Sequence, residues 1–132
     1  MPLTSELAQV MIAASQDTAR ALGIAISTAI VDADGRLFAF ARMDGAHWLS
    51  IDVSQAKAFT GALLRRDGPE LQQVPAATIA ALSTLQGRGL MPLGSVTTVR
   101  EGDRLVASIG CSGGTDEQDA QCAHAARDAF AR

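Results

Sequence analysis

The chain has no tyrosine, one tryptophan, four phenylalanines and two cysteines in 132 residues. With so few aromatics, its core must be built from aliphatic and small side chains. Cys111 and Cys122 lack Cys-x-x-Cys spacing and are too few for a disulfide framework, which points to a reducing, cytoplasmic setting. No apolar run is long enough to cross a bilayer, and the opening Met-Pro-Leu-Thr-Ser-Glu has no basic segment leading into an apolar one, so neither membrane anchor nor leader is expected. Cations are scarce too: 11 Lys and Arg stand against 14 Asp and Glu, for a net charge of −3. That balance excludes a general nucleic-acid binder, because Arg65 and Arg66 are too few to form a basic stripe. Also missing are His-x-x-x-His, calcium-type carboxylate clusters, a phosphate-loop lysine and the Gly-x-Ser-x-Gly elbow, which removes the common metal, nucleotide and serine-hydrolase sites.

What remains is a chain of ordinary single-domain size, 1–132, with no repeat, linker or low-complexity segment. Its many small residues let helices lie close to a sheet but leave little apolar area per residue, so self-association into a homo-oligomer is expected. Residues 4–22 read as a helix capped by Thr4 and stopped by Gly23, with Leu7, Val10, Met11, Ala14, Thr18 and Ala21 inward. Residues 24–31 alternate as a half-buried strand with Ile24, Ile26, Thr28 and Ile30 on one side. A tight turn at 32–35 then returns the chain into an antiparallel strand over 37–42. Helical pattern runs from 70 to 86, interrupted by Pro75, which opens a second helix. Residues 91–100 read as a strand with an irregular first half at Pro92 and Gly94, and 105–111 as another. A last helix starts at Thr115, whose spacing to Gln118 is that of a capping box. The sum is an α+β fold: an antiparallel sheet of four to five strands flanked by helices.

The chemistry concentrates between Arg42 and Lys57, where a strand end, a glycine turn and a helix start crowd together Arg42, Asp44, His47, Trp48, Asp52 and Lys57. Ser50 is the expected N-cap, and Leu49, Val53, Ala56, Thr60, Leu63 and Leu64 form the face expected to enter the core. Lys57 lies at the margin of that face, where a lysine either snorkels to the surface or looks into a cleft above the strand ends. His47, beside Trp48, can serve as an axial metal ligand or as an acid/base near neutrality. Cys111 opens a glycine-rich Cys-Ser-Gly-Gly loop before a helix N-terminus, a setting that suits either a small buried residue or a thiolate. Asp119 shares the inner face of the last helix with Cys122, Ala126 and Phe130, while His124 falls on the opposite side.

The succession Ile30-Val-Asp-Ala-Asp-Gly35, Arg42-Met-Asp-Gly-Ala46, Ser50-Ile51, Lys57-Ala58, Met91-Pro92-Leu93, Ile109-Gly-Cys-Ser-Gly113 and Gln118-Asp119 resembles the GlcG/HbpS-like family of small haem-binding proteins. It spans nearly the whole chain in the family's order. The resemblance implies a profilin-like or sensor-like shape, assembly into dimers or larger oligomers, and binding of haem or another tetrapyrrole. Two loops depart from the family pattern: Gly89-Leu90-Met91-Pro92 replaces two glycines before the proline, and Cys111 replaces a valine. The first helix has no histidine to match the ligand of a haem-binding member, so haem must be held by other groups. The pocket is expected near the 42–57 junction and the 89–94 loop, with Arg42, His47, Met91 and Asp119 as the candidates to line it and His47, ahead of Met43, Met91 and Cys111, as metal ligand. The competing expectation is a cofactor-independent isomerase or lyase acting on a small anionic metabolite. Arg42 or Lys57 would hold its carboxylate while Asp44, His47 or Cys111 moves a proton.

Overall fold

The computed structural model describes residues 1–130. Its elements run α1 (Ser5–Leu22), β1 (Ser27–Asp32), β2 (Leu37–Arg42), α2 (Leu49–Leu64), α3 (Gly68–Leu71), α4 (Ala76–Gln86), β3 (Thr97–Glu101), β4 (Arg104–Ser112) and α5 (Asp116–Phe130). The four strands form one sheet in the order β2-β1-β4-β3, with every neighbouring pair antiparallel. The α+β architecture expected from the alternating patterns is therefore present, with four strands. None of the described helices is long and apolar enough to cross a membrane.

Local signals set most boundaries. The Thr4 hydroxyl accepts the Leu7 N–H at 3.1 Å, and Gly23 closes α1 in the left-handed conformation at φ 73°. At α5 the capping box is reciprocal: Gln118 N–H donates to Thr115 Oγ1 at 3.2 Å and Thr115 N–H to Gln118 Oε1 at 3.0 Å. β1 starts at Ser27 rather than at 24, and β3 is confined to Thr97–Glu101 because Pro92 and Gly94 keep residues 91–96 irregular.

The sheet is covered on both faces, so β1 is buried throughout most of its length instead of on one side. Ile26, Ile30, Ile109 and Cys111 pack with Met11 and Ile12 of α1 and Cys122, Ala126 and Phe130 of α5. On the other face Ala29 and Val31 meet Ala58 and Ala62 of α2. That second face is made of small residues. A Cβ built on Gly110 would come within 2.1 Å of the Ser54 carbonyl oxygen, and one on Gly61 within 2.3 Å of Ser108 Oγ. The helix thus lies directly on the sheet backbone.

This close seat overturns two helix-face expectations. In α2 the buried residues are Ser50, Ser54, Lys57, Ala58, Thr60, Gly61 and Ala62, while Leu49 is 47% exposed and Val53 and Ala56 are half-buried. In α1 Ala8, Met11, Ile12, Ser15 and Ala19 are buried and Val10 faces water. The inward stripes are rich in Ala, Ser and Gly because only small side chains fit where a helix touches a sheet or a neighbouring helix. Ser50 is correspondingly no cap: α2 starts before it, and its hydroxyl bonds to the His47 carbonyl at 2.6 Å and to Ser27 Oγ at 2.7 Å.

Candidate functional site

Turning the small-residue face of α2 inward leaves its larger side chains facing out. Asp52, Val53, Gln55 and Ala56 form one wall of an open groove of about 340 Å³, and Arg88, Gly89 and Met91 form the other. Trp48, 62% exposed, and Leu49 continue the apolar surface toward the start of the helix. Helix α4 delivers the second wall. Its C-cap Gly87 sits at φ 69° and donates to Ser83 and Thr84, so residues 88–91 turn back toward α2. The Met91 N–H is then fixed by Thr60 Oγ1 at 2.9 Å and the Leu90 N–H by Ser83 Oγ at 3.2 Å. Arg88 lies over the Phe59 ring, with its guanidinium carbon 4.0 Å from the centroid.

The residues singled out from the sequence divide into three places. Met91 lines the groove. Arg42, Asp44 and His47 belong to the turn between β2 and α2, all three exposed. There Arg42 Nε and Nη2 both donate to the Ala46 carbonyl, at 3.1 and 2.9 Å, closing the loop around Gly45. The His47 ring lies 5.4 Å from that of Trp48, and its Nδ1 accepts the Leu49 N–H at 3.2 Å. That bond leaves the proton of the neutral imidazole on Nε2.

Lys57, Cys111 and Asp119 meet elsewhere, inside the protein. Lys57 does not snorkel: it is 1% exposed, and its Nζ donates to the Cys111 carbonyl at 2.8 Å and to Asp119 Oδ2 at 3.0 Å. Asp119 Oδ1 also accepts the Gly114 N–H at 2.9 Å, so α2, β4, the glycine loop and α5 are tied at one point. Burial pushes the Asp119 carboxyl above the usual carboxylate range, against the opposing pull of Lys57 and Gly114. Burial likewise pushes the Cys111 thiol up to about 12, where it is a protonated core group bonded to Thr28 Oγ1 at 3.6 Å rather than a thiolate. His124 is exposed on the outer side of α5. Arg88, Val53 and Ala56 were not legible as a site, because their convergence depends on which face of α2 turns inward. The one available signal was an arginine set between Gly87 and Gly89.

Among the described residues no group of three or more His, Cys, Asp or Glu side chains is gathered to hold a metal ion. The chain is 28% identical over 139 residues, 98% of both chains, to a Citrobacter freundii protein described as "Uncharacterized 15.0 kDa protein in dhaT-dhaS intergenic region". Its structure is similar to that of a double mutant of Streptomyces reticuli HbpS, with a TM-score of 0.80, 32% identity, and coverage of 97% of this chain and 86% of that one. A PduOC:heme complex shares the fold at a TM-score of 0.87 and 24% identity, covering 98% of this chain and 95% of that one. Matching over residues 3–128, the chain belongs to the HbpS-like family, described as "Haem degrading protein HbpS-like".

Proposed function

We propose that this protein binds haem or a related tetrapyrrole in the groove between α2 and residues 88–91, as a self-associating protein of the cytoplasm. The observation that carries the reading is the apolar wall of α2. Leu49, Val53 and Ala56 face outward on a surface helix, with Met91 opposite. A tetrapyrrole has flat apolar faces that such walls match. At about 340 Å³ the groove is at the small end of ligand sites, so it takes part of the macrocycle and leaves an edge in water. The family description concerns haem, and the PduOC structure is a complex with haem on the same fold.

The donors on hand fit the group. The Met91 thioether is a soft ligand that carries no proton and would hold the iron from inside the groove. His47, in the turn before α2 and not among the residues lining the groove, would ligate through Nε2 only with its proton moved to Nδ1, which sacrifices the Leu49 hydrogen bond at a cost of about 1 kcal/mol. Bound haem would supply a redox-active iron. The isomerase or lyase alternative lacks comparable support: Arg42, Asp44 and His47 are at the exposed turn, whereas Lys57 and Cys111 are sealed in the interior.

Titration of the purified protein with hemin, followed in the Soret region, tests this reading. Saturable, stoichiometric binding is expected. Val53→Asp, which sets a charge on the apolar wall, should weaken it by about tenfold or more, and Met91→Ala should shift the Soret maximum. Unsaturable absorption that neither substitution alters would overturn it.

Self-association has its own support in α4. Residues 71–87 carry no charge in a chain that is 19% charged, only Ile79 of the helix is buried, and Leu85 is 78% exposed. A second copy offers an equally uncharged face, so neither side strands a charge in the contact. Light scattering should give a mass above that of one chain, reduced by Leu85→Glu. A wild-type monomer at micromolar concentration refutes this part. Two free, buried cysteines agree with a reducing compartment.

A further inference from the structure

Arg88 is bound to the fold through its backbone, with the Arg88 N–H on the Ser83 carbonyl at 3.2 Å, while its side chain is exposed. The guanidinium lies over Phe59, whose ring is itself packed against Gly35: a Cβ there would come within 3.1 Å of it. No salt bridge among the described residues uses Arg88. With its guanidinium over the ring and in no ion pair among the described residues, Arg88 has N–H donors available for a carboxylate, which a guanidinium receives with two parallel hydrogen bonds.

The groove also carries a carboxylate of its own. Asp52 precedes Phe59 by seven residues on α2, about two turns or roughly 10 Å along the axis, so the cation and the anion stand toward opposite ends. A ligand with acidic groups on one edge can enter only one way round, with that edge at Arg88 and its apolar body along Val53 and Ala56.

We propose that Arg88 is the carboxylate-binding residue of the groove. It selects tetrapyrroles that carry free propionates and orients them with the propionate edge away from Asp52. This rests on the tetrapyrrole reading above and adds to it the ionic state and orientation of the ligand.

The test titrates the full chain with hemin and with hemin dimethyl ester, for wild type, Arg88→Ala and Arg88→Lys. Because the Arg88 side chain is exposed, the folded core is untouched. Hemin should bind at least about tenfold more weakly to Arg88→Ala than to wild type, and Arg88→Lys, which keeps the charge but not the fork, should fall between. The ester should bind wild type and Arg88→Ala alike. If Arg88→Ala is silent for hemin, or weakens hemin and ester equally, the carboxylate role is wrong while the tetrapyrrole reading stands. If wild type binds neither compound, the tetrapyrrole reading falls and takes this inference with it.

Discussion

Lys57→Ala is expected to lower the unfolding free energy by about 3–5 kcal/mol, the cost of leaving one partner of a buried ion pair alone. The side chains of Lys57 and Asp119 are 2% and 4% exposed, so water cannot replace the lost ammonium. The variant would hold a buried carboxylate whose one remaining hydrogen bond comes from the Gly114 N–H. Burial already holds the Asp119 carboxyl above its ordinary value, and removing Lys57 takes away the largest opposing influence. A carboxyl whose folded pKa is raised binds its proton more readily in the native state. The variant should therefore regain stability as pH falls through that raised value toward the ordinary carboxylate range. Urea unfolding followed by circular dichroism measures both effects. A deficit below about 1 kcal/mol would mean that the pair is solvated and holds nothing together. The double substitution Lys57→Met with Asp119→Leu should recover part of the loss, limited by the orphaned Gly114 N–H at about 1–3 kcal/mol.

Gly110→Ala should cost about 3 kcal/mol or more, or abolish soluble expression. Gly110 is in the centre of the sheet, paired with Ala29, and α2 crosses directly above it. Its missing side chain leaves room for backbone: an added Cβ would fall 2.1 Å from the Ser54 carbonyl oxygen and 2.8 Å from both the Ala58 nitrogen and Lys57 Cβ. Backbone on a helix cannot rotate away as a side-chain tip can, so α2 would have to lift. Lifting it withdraws Lys57 from the Cys111 carbonyl and moves the wall of the groove. Gly89→Ala provides the contrast, because nothing lies within 4 Å of a Cβ there, and its effect should stay within about 0.5 kcal/mol. Equal stability of the two variants would show that α2 does not bear on the sheet at Gly110.

Both predictions concern the contact that sequence reasoning read least well. Hydrophobic patterning favoured Leu49, Val53, Leu63 and Leu64 as the inner face of α2, since a helix usually buries its largest apolar side chains. Here the sheet beneath presents Ser27, Ala29, Ser108 and Gly110, and the helix meets it with Ser54, Ala58 and Gly61. Two small-residue surfaces approach closely and gain dispersion contacts that neither could make alone. A helical wheel sees one surface only, so it cannot weigh that gain.

Features that depend on neighbours along the chain were legible in the sequence. These include the Thr4 cap, the Gly23 stop, the turn before Leu37, the Thr115–Gln118 capping box, the inward stripe of Asp119, Cys122, Ala126 and Phe130, and the antiparallel α+β plan. Each follows from backbone geometry within a few residues. The burial of Lys57 depends on the assembled fold, because its partners Cys111 and Asp119 lie 54 and 62 residues away. So does the placing of Arg88 and Met91 opposite Val53, which requires the outward turn of that face of α2. A charge enters the interior only when a distant partner compensates its desolvation, and a groove forms only where two remote segments face each other. Both are properties of the assembled layers, invisible in any local stretch of chain.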